Sequence, residues 1–263
     1  MSEHLIIEQN GAVVTATMNR PERLNALNTG LVTELREFFA DLYWRRDVRV
    51  VVLRGAGANF CAGLDLKDRS NTSVARGTAG GLDSQRSISE IVMAMRRCPQ
   101  PIISVVQGAA SGGGFALALA SDVRIATPTT RMNAAFIRIG LSACDIGVSY
   151  FLPRMVGASV AAEYMLTGRF IDAARAHQLG LVSAILDGKA IDEAVAGYVK
   201  DMLHATPLGL RLTKECLNHA IDAQGLEAAI AMEDRNQILC AQDANFAEGV
   251  AAFLEKREPK YAG

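Results

Sequence analysis

The residues best suited to chemistry in this chain of 263 residues are main-chain amides at two glycine turns, rather than a cluster of reactive side chains. Asn59-Phe60-Cys61-Ala62-Gly63-Leu64-Asp65-Leu66 reads as the end of a strand, a glycine turn and a short helix. That order leaves the Leu64 N–H unpaired and pointing outward. Gly108-Ala109-Ala110-Ser111-Gly112-Gly113-Gly114-Phe115-Ala116-Leu117 puts three glycines after a buried strand. Glycines let the backbone approach a ligand closely, and a helix starting there exposes its first N–H groups. The helix dipole adds partial positive charge at the same end.

Other chemistries for a glycine run are poorly matched. No Lys-Ser/Thr follows it, as a phosphate-binding P-loop requires, and the spacing is not Gly-x-Gly-x-x-Gly. No Gly-x-Ser-x-Gly elbow is present, so Ser111 is a poor nucleophile. Taken alone, the run could also be a tight turn needed only for strand–helix packing.

The elements that must position these turns alternate in type. Leu5–Glu8 and Val13–Met18 read as strands joined by Asn10-Gly11, a strong hairpin dipeptide. Leu31, Leu35, Phe38, Phe39 and Leu42 give a helix over 29–46 one apolar face. Val48–Leu53, Ile102–Val106 and Asp122–Ala126 read as buried strands, with helices over 85–97 and 112–120 between them. Strand and helix in alternation predict α/β layers. A polar, Gly- and Ser-rich stretch, 68–84, reads as a mobile loop. The remainder reads as helical, with Thr206-Pro207 dividing a main body, 1–205, from a C-terminal helical region, 206–263, too small for an independent core.

Composition narrows the function. Half of the residues are hydrophobic and 21% are charged, which favours a sizeable core over disorder. The 27 basic and 28 acidic side chains give a formal charge of −1, no basis for a nucleic-acid or anionic-membrane partner. The first residues lack a signal peptide's basic and apolar segments, and no apolar run is long enough to span a bilayer. A cytoplasmic location is expected. Cys61, Cys98, Cys144, Cys216 and Cys240 are scattered and odd in number, and His4, His177, His204 and His219 have no ligand spacing. Neither a disulfide framework nor a metal is expected.

Five segments together resemble the enoyl-CoA hydratase/isomerase (crotonase) family in order and spacing. They are Asn19 through Leu27, Phe60 through Asp65, Gly108 through Asp122, Gly168-Arg169 with Ala173 through Val182, and Gly249 through Arg257. The resemblance implies a spiral of ββα units with a C-terminal helical trimerisation region, in homotrimers or dimers of trimers. It implies an acyl-CoA substrate, with coenzyme A as part of that substrate and no separate cofactor. The N–H groups of Leu64 and Gly113 match the two oxyanion-hole donors, each typically worth about 10²–10³ in rate. Arg23, Leu24, Ala26, Ala62, Gly63, Asp65, Leu66 and Gly112 are expected along the substrate path. Lys256 could meet a coenzyme phosphate, or be a solvated helix charge.

The chain departs from the family's hydratases, which use two glutamates. The matching positions hold Ala116 and Phe136, and neither side chain moves a proton. A different carboxylate, Asp145, matches an acidic position of the dienoyl-CoA isomerase and 4-chlorobenzoyl-CoA dehalogenase branches. Asp145 is therefore the candidate acid/base, with Glu90 second and Phe136 against the acyl group. Asp145 as the nucleophile of a hydrolase or dehalogenase, and a non-catalytic acyl-CoA-binding protein, are the alternatives. An N-cap on the following helix is the purely structural role open to Asp145.

Overall fold

A computed structural model describes residues 3–68 and 77–262. The hairpin forms as expected, with β1 (Leu5–Asn10) antiparallel to β2 (Val13–Met18) about Asn10-Gly11. Alternation along β2 buries Val14, Ala16 and Met18, while β1, at the sheet edge, buries only Leu5 and exposes both Ile6 and Ile7. From β2 the main sheet continues in parallel through β3 (Val50–Gly55), β4 (Ile102–Val106), β6 (Val123–Ala126) and β9 (Ala184–Ile185). A smaller sheet joins β5 (Ala109–Ser111), β7 (Arg131–Asn133) and β8 (Ile171–Asp172).

The first two helices differ from the sequence expectation at their ends. Helix α1 (Thr29–Asp41) is capped by Asn28, whose side chain accepts the Leu31 N–H at 2.9 Å. It stops at Asp41, followed by one 3₁₀ turn, instead of running to Arg46. The cause is Gln100, whose side-chain amide holds the carbonyls of Leu42, Arg45 and Val48 at 2.8, 2.9 and 3.2 Å in a turn. Helix α2 (Gly77–Arg97) starts eight residues before Gln85. Residues 77–84 are thus helical rather than loop, glycines included. Weak propensity there is overridden by extension of a packed helix. The rest of the expected loop, 69–76, lies outside the described residues.

Helix α3 (Gly113–Ala120) runs through the middle of the molecule with every residue buried. It contributes Phe115 to a core shared with Leu31, Leu35, Phe39, Met95 and Leu117. Helices α4 (Val148–Val156), α5 (Ala158–Thr167), α6 (Ala173–Gln178) and α7 (Gly188–Leu203) complete the body. Helix α8 (Pro207–Ala220) is tied to it by the buried Lys214 ammonium, which reaches Asp122 at 2.9 Å and the carbonyls of Gln100 and Met95 at 2.7 and 3.1 Å. Helix α9 (Leu226–Gln242) buries no residue and α10 (Ala244–Glu255) only Ala252. Leu226, Ile238, Leu239, Phe253 and Leu254 are exposed there. No helix among the described residues is long and apolar enough to cross a membrane.

Candidate active site

The site begins with two short β-bridges that fix the amide directions. Leu27 donates its N–H to the Gly63 carbonyl (2.7 Å) and accepts from the Asp65 N–H (3.0 Å). In an extended segment successive residues turn their polar groups to opposite sides. With Gly63 and Asp65 engaged on Leu27, the Leu64 N–H faces away from it. The second bridge joins this segment to β5, with Cys61 N–H on Ala109 O and Ser111 N–H on Cys61 O, both at 3.0 Å. Gly113 is the first residue of α3, so its N–H has no partner within the helix. Among the described residues neither the Leu64 nor the Gly113 amide has an acceptor.

Glycine at 63 is what lets the segments meet. Its φ is +92°, and a Cβ there would lie 2.6 Å from Ser111 O and 3.2 Å from Gly113 N. Only a residue without a side chain fits that approach. Both amides border a cavity of about 120 Å³ whose walls include Ala62, Leu66, Gly112 and Phe136.

Asp145 also lines this cavity, half-buried. Its Oδ1 accepts the Ile146 N–H at 2.8 Å and a bond from the Gln85 side-chain amide. Burial raises the Asp145 pKa above the usual carboxylate range, against the pull of those two donors, which favour the charged form. Its side chain does not cap α4. The N-cap there is Gly147, without a side-chain bond, and only the Asp145 carbonyl meets the helix, accepting Val148 N–H at 2.9 Å. Asp145 is the one titratable side chain among the described residues lining the cavity.

The remaining expected residues divide. Asp65 is buried and holds Arg20 and Arg23, each at 3.0 Å. Burial acts to raise its pKa, but the hydrogen bonds from Arg20, the Lys67 N–H and Arg23 outweigh it and keep the carboxyl below its ordinary value. The Asp65 side chain therefore clamps the 20–26 loop onto the 61–66 segment and does not line the cavity. Arg23 is spent on the same clamp, and Ala26 is buried beside it, its carbonyl held by Arg20. Leu24 is exposed, in left-handed conformation, and its carbonyl accepts the Ala62 N–H at 3.0 Å.

Glu90 does not reach the cavity. Gln85 and Ile88 show which face of α2 does, and Glu90, two residues past Ile88, projects elsewhere and pairs with Arg97 at 2.6 Å. Lys256 ends α10 in left-handed conformation, exposed and away from the cavity in this chain. The lining residues that the sequence did not single out are Leu27, Gln85, Ile88, Ala135 and Leu141. Ala135 and Leu141 lie in and just after one short 3₁₀ turn (Ala135–Ile139), with no periodicity to follow. Gln85 lay at the edge of a stretch read as loop. Cys61, next to the amides, is inert: full burial pushes its thiol up to about 12.

Comparison with known proteins decides the family. The family model described as "Enoyl-CoA hydratase/isomerase" matches residues 8–263. The chain belongs to the enoyl-CoA hydratase/isomerase family. The "1,2-epoxyphenylacetyl-CoA isomerase" of Escherichia coli is 32% identical over 263 residues, covering 100% of both chains. The "Probable enoyl-CoA hydratase EchA12" of Mycobacterium tuberculosis is 38% identical over 254 residues, 95% of this chain and 89% of the other. Among solved structures, an enoyl-CoA hydratase from Bacillus anthracis superposes with a TM-score of 0.92 at 29% identity, covering 98% of this chain and 99% of that one. The crotonase-type α/β fold expected from the sequence is thus shown, as is an enzyme of the hydratase/isomerase family acting on acyl-CoA.

Proposed function

We propose that the enzyme moves a proton between carbons of a CoA thioester, shifting a double bond, with Asp145 as the acid/base that removes and returns it. The observation that carries this reading is one carboxylate, alone of its kind among the described lining residues, beside two amides that have no acceptor among the described residues. The thioester oxygen accepts from the Leu64 and Gly113 N–H groups. As the Asp145 carboxylate takes a proton from carbon, charge moves onto that oxygen, and donors already oriented stabilise the enolate without reorganising. The protonated Asp145 then delivers the proton to a different carbon. Gln85 and the Ile146 N–H hold Oδ1, leaving Oδ2 for the transfer. A raised pKa suits a group that must both take and give a proton.

Addition of water needs one group to activate it and another to protonate carbon. Ala116 is fully buried and Phe136 is a hydrocarbon wall, so neither position offers the second group. The nucleophile reading of Asp145 has less support, because no other titratable group among the described cavity residues could activate water for release. The exposed apolar residues of α9 and α10 support assembly as a trimer or a dimer of trimers, in which Lys256 could serve a neighbouring subunit.

The test is turnover of a 3-enoyl-CoA in D₂O by the enzyme and by Asp145→Asn. Conversion to the conjugated thioester, lost in the variant, is expected. Near-full activity in Asp145→Asn removes that residue from the mechanism. A single turnover in ¹⁸O-water that labels Asp145 establishes the covalent route instead.

A further inference from the structure

The apolar space does not end at the cavity that holds the amides. On the far side of Ile146 lies a second cavity of about 450 Å³, walled by Val92, Met93, Leu119, Phe151 and Met155. Ile146 lines both. One face of α2 also serves both: Gln85 and Ile88 at the first, then Ser89, Val92, Met93 and Arg96 at the second, in helical steps of three and four.

Ile146 sits at the junction under constraint. Its φ is +34°, a conformation in which a β-branched residue is strained. The Asp145 carboxylate holds its N–H, and its Cδ1 lies 3.6 Å from where a side chain on Gly113 would start. The acid/base, the oxyanion donor and the partition between the cavities therefore touch one another.

The charged groups around the second cavity are already committed. Arg96 pairs with Asp122 at 2.9 Å and bonds Asn218. Arg154 pairs with Asp222 at 3.2 Å and lies 3.8 Å from the centre of the Tyr150 ring. What remains for a ligand is hydrocarbon surface.

We infer that the second cavity takes the distal part of a long apolar acyl group whose thioester is held at Leu64 and Gly113, so that the substrate class is medium- to long-chain acyl-CoA. The inference rests on the acyl-CoA reading of the site. At about 30 Å³ for a small group, the first cavity holds about four carbon-sized units, and the carbons of a longer tail find apolar room past Ile146 in the second.

The test measures binding, so it does not depend on the proton-transfer chemistry. Affinities of butyryl-CoA and dodecanoyl-CoA are measured by calorimetry on the full chain in its solution assembly, for the wild type and for Met93→Trp and Met155→Trp. Both substitutions fill the second cavity, and Met93 is partly exposed, so that variant should fold. The expected result is a dodecanoyl-CoA affinity at least about tenfold above that of butyryl-CoA, since each buried methylene contributes several-fold. In the tryptophan variants that advantage should shrink to about twofold, with butyryl-CoA unchanged. Equal affinities in the wild type overturn the inference, and are the outcome if a neighbouring copy covers the cavity. Retention of the advantage in both variants overturns it as well. Length-selective binding without any isomerisation keeps this inference and sinks the proton-shuttle mechanism, whereas no binding of either thioester sinks both.

Discussion

Gly114→Ala should damage the enzyme out of proportion to the one methyl it adds. Gly114 is the second residue of α3, and a Cβ built there lies 2.0 Å from the Cys61 carbonyl oxygen and 2.8 Å from its carbonyl carbon. Ordinary contact begins near 3.4 Å, so the backbones must part by roughly 1.4 Å. The obstructing oxygen accepts the Ser111 N–H, in the bridge that holds the Leu64 segment to β5. Neither backbone can yield without opening that bridge. Overpacking of this kind costs about 1–3 kcal/mol, a fall in Tm of about 3–10 °C for a chain of this size. A displacement of about 1 Å between donors costs about 10²-fold in rate, comparable to loss of one oxyanion donor. Steady-state kcat and thermal unfolding should be measured beside Gly197→Ala, where the new methyl in α7 meets nothing within 4 Å. That control should gain about 0.5–1 kcal/mol with kcat unchanged. A Gly114→Ala enzyme with wild-type kcat and Tm would refute the claim that these backbones fix the oxyanion hole.

Three further outcomes follow from the same geometry. Asp145→Asn should lower kcat by about 10²–10⁴-fold yet raise Tm at neutral pH. The folded state binds the Asp145 proton more tightly than the unfolded chain does, so that stabilisation is complete below the ordinary carboxylate range and lost as pH rises through the raised value. The Tm gap between variant and wild type should therefore close in acid. Gln85→Leu removes a donor to the charged carboxylate and should move the acidic limb of the pH–rate profile to higher pH, with protein stability a poor correlate of the effect. Lys214→Ala leaves Asp122 with Arg96 and the Ile102 N–H and takes the ammonium donor from the carbonyls of Met95 and Gln100; urea unfolding should show a loss of about 2–4 kcal/mol.

The sequence exposed those parts of the fold in which one residue's environment repeats at a fixed interval. Val13–Met18 alternates and Ile102–Val106 is uniformly β-prone, and both strands lie where that patterning puts them. The second sheet had no such signal, because β5, β7 and β8 are three, three and two residues long. At the site, the glycine turns at Leu64 and Gly113 were visible because glycine and turn order are local, while their pairing as two oxyanion donors was implied by the family resemblance. Gln85 and Ile88 were not visible, since their positions depend on how α2 lies across the 139–147 segment. The same dependence misled over Glu90: a loose helix register cannot tell one face from another, and the ion pair with Arg97 settles which face it occupies. Asp65 lay in the right motif, but only the folded chain reveals that its side chain is held by two arginines.

Because both proposed oxyanion donors, at Leu64 and Gly113, are main-chain amides, ordinary side-chain replacement cannot delete them. Mutation can trade one carboxylate for another, or remodel the hydrocarbon walls, while the hold on the carbonyl persists. Capture and conversion are thereby free to change on separate schedules, and a single scaffold can acquire new reactions without first surrendering its grip on the thioester.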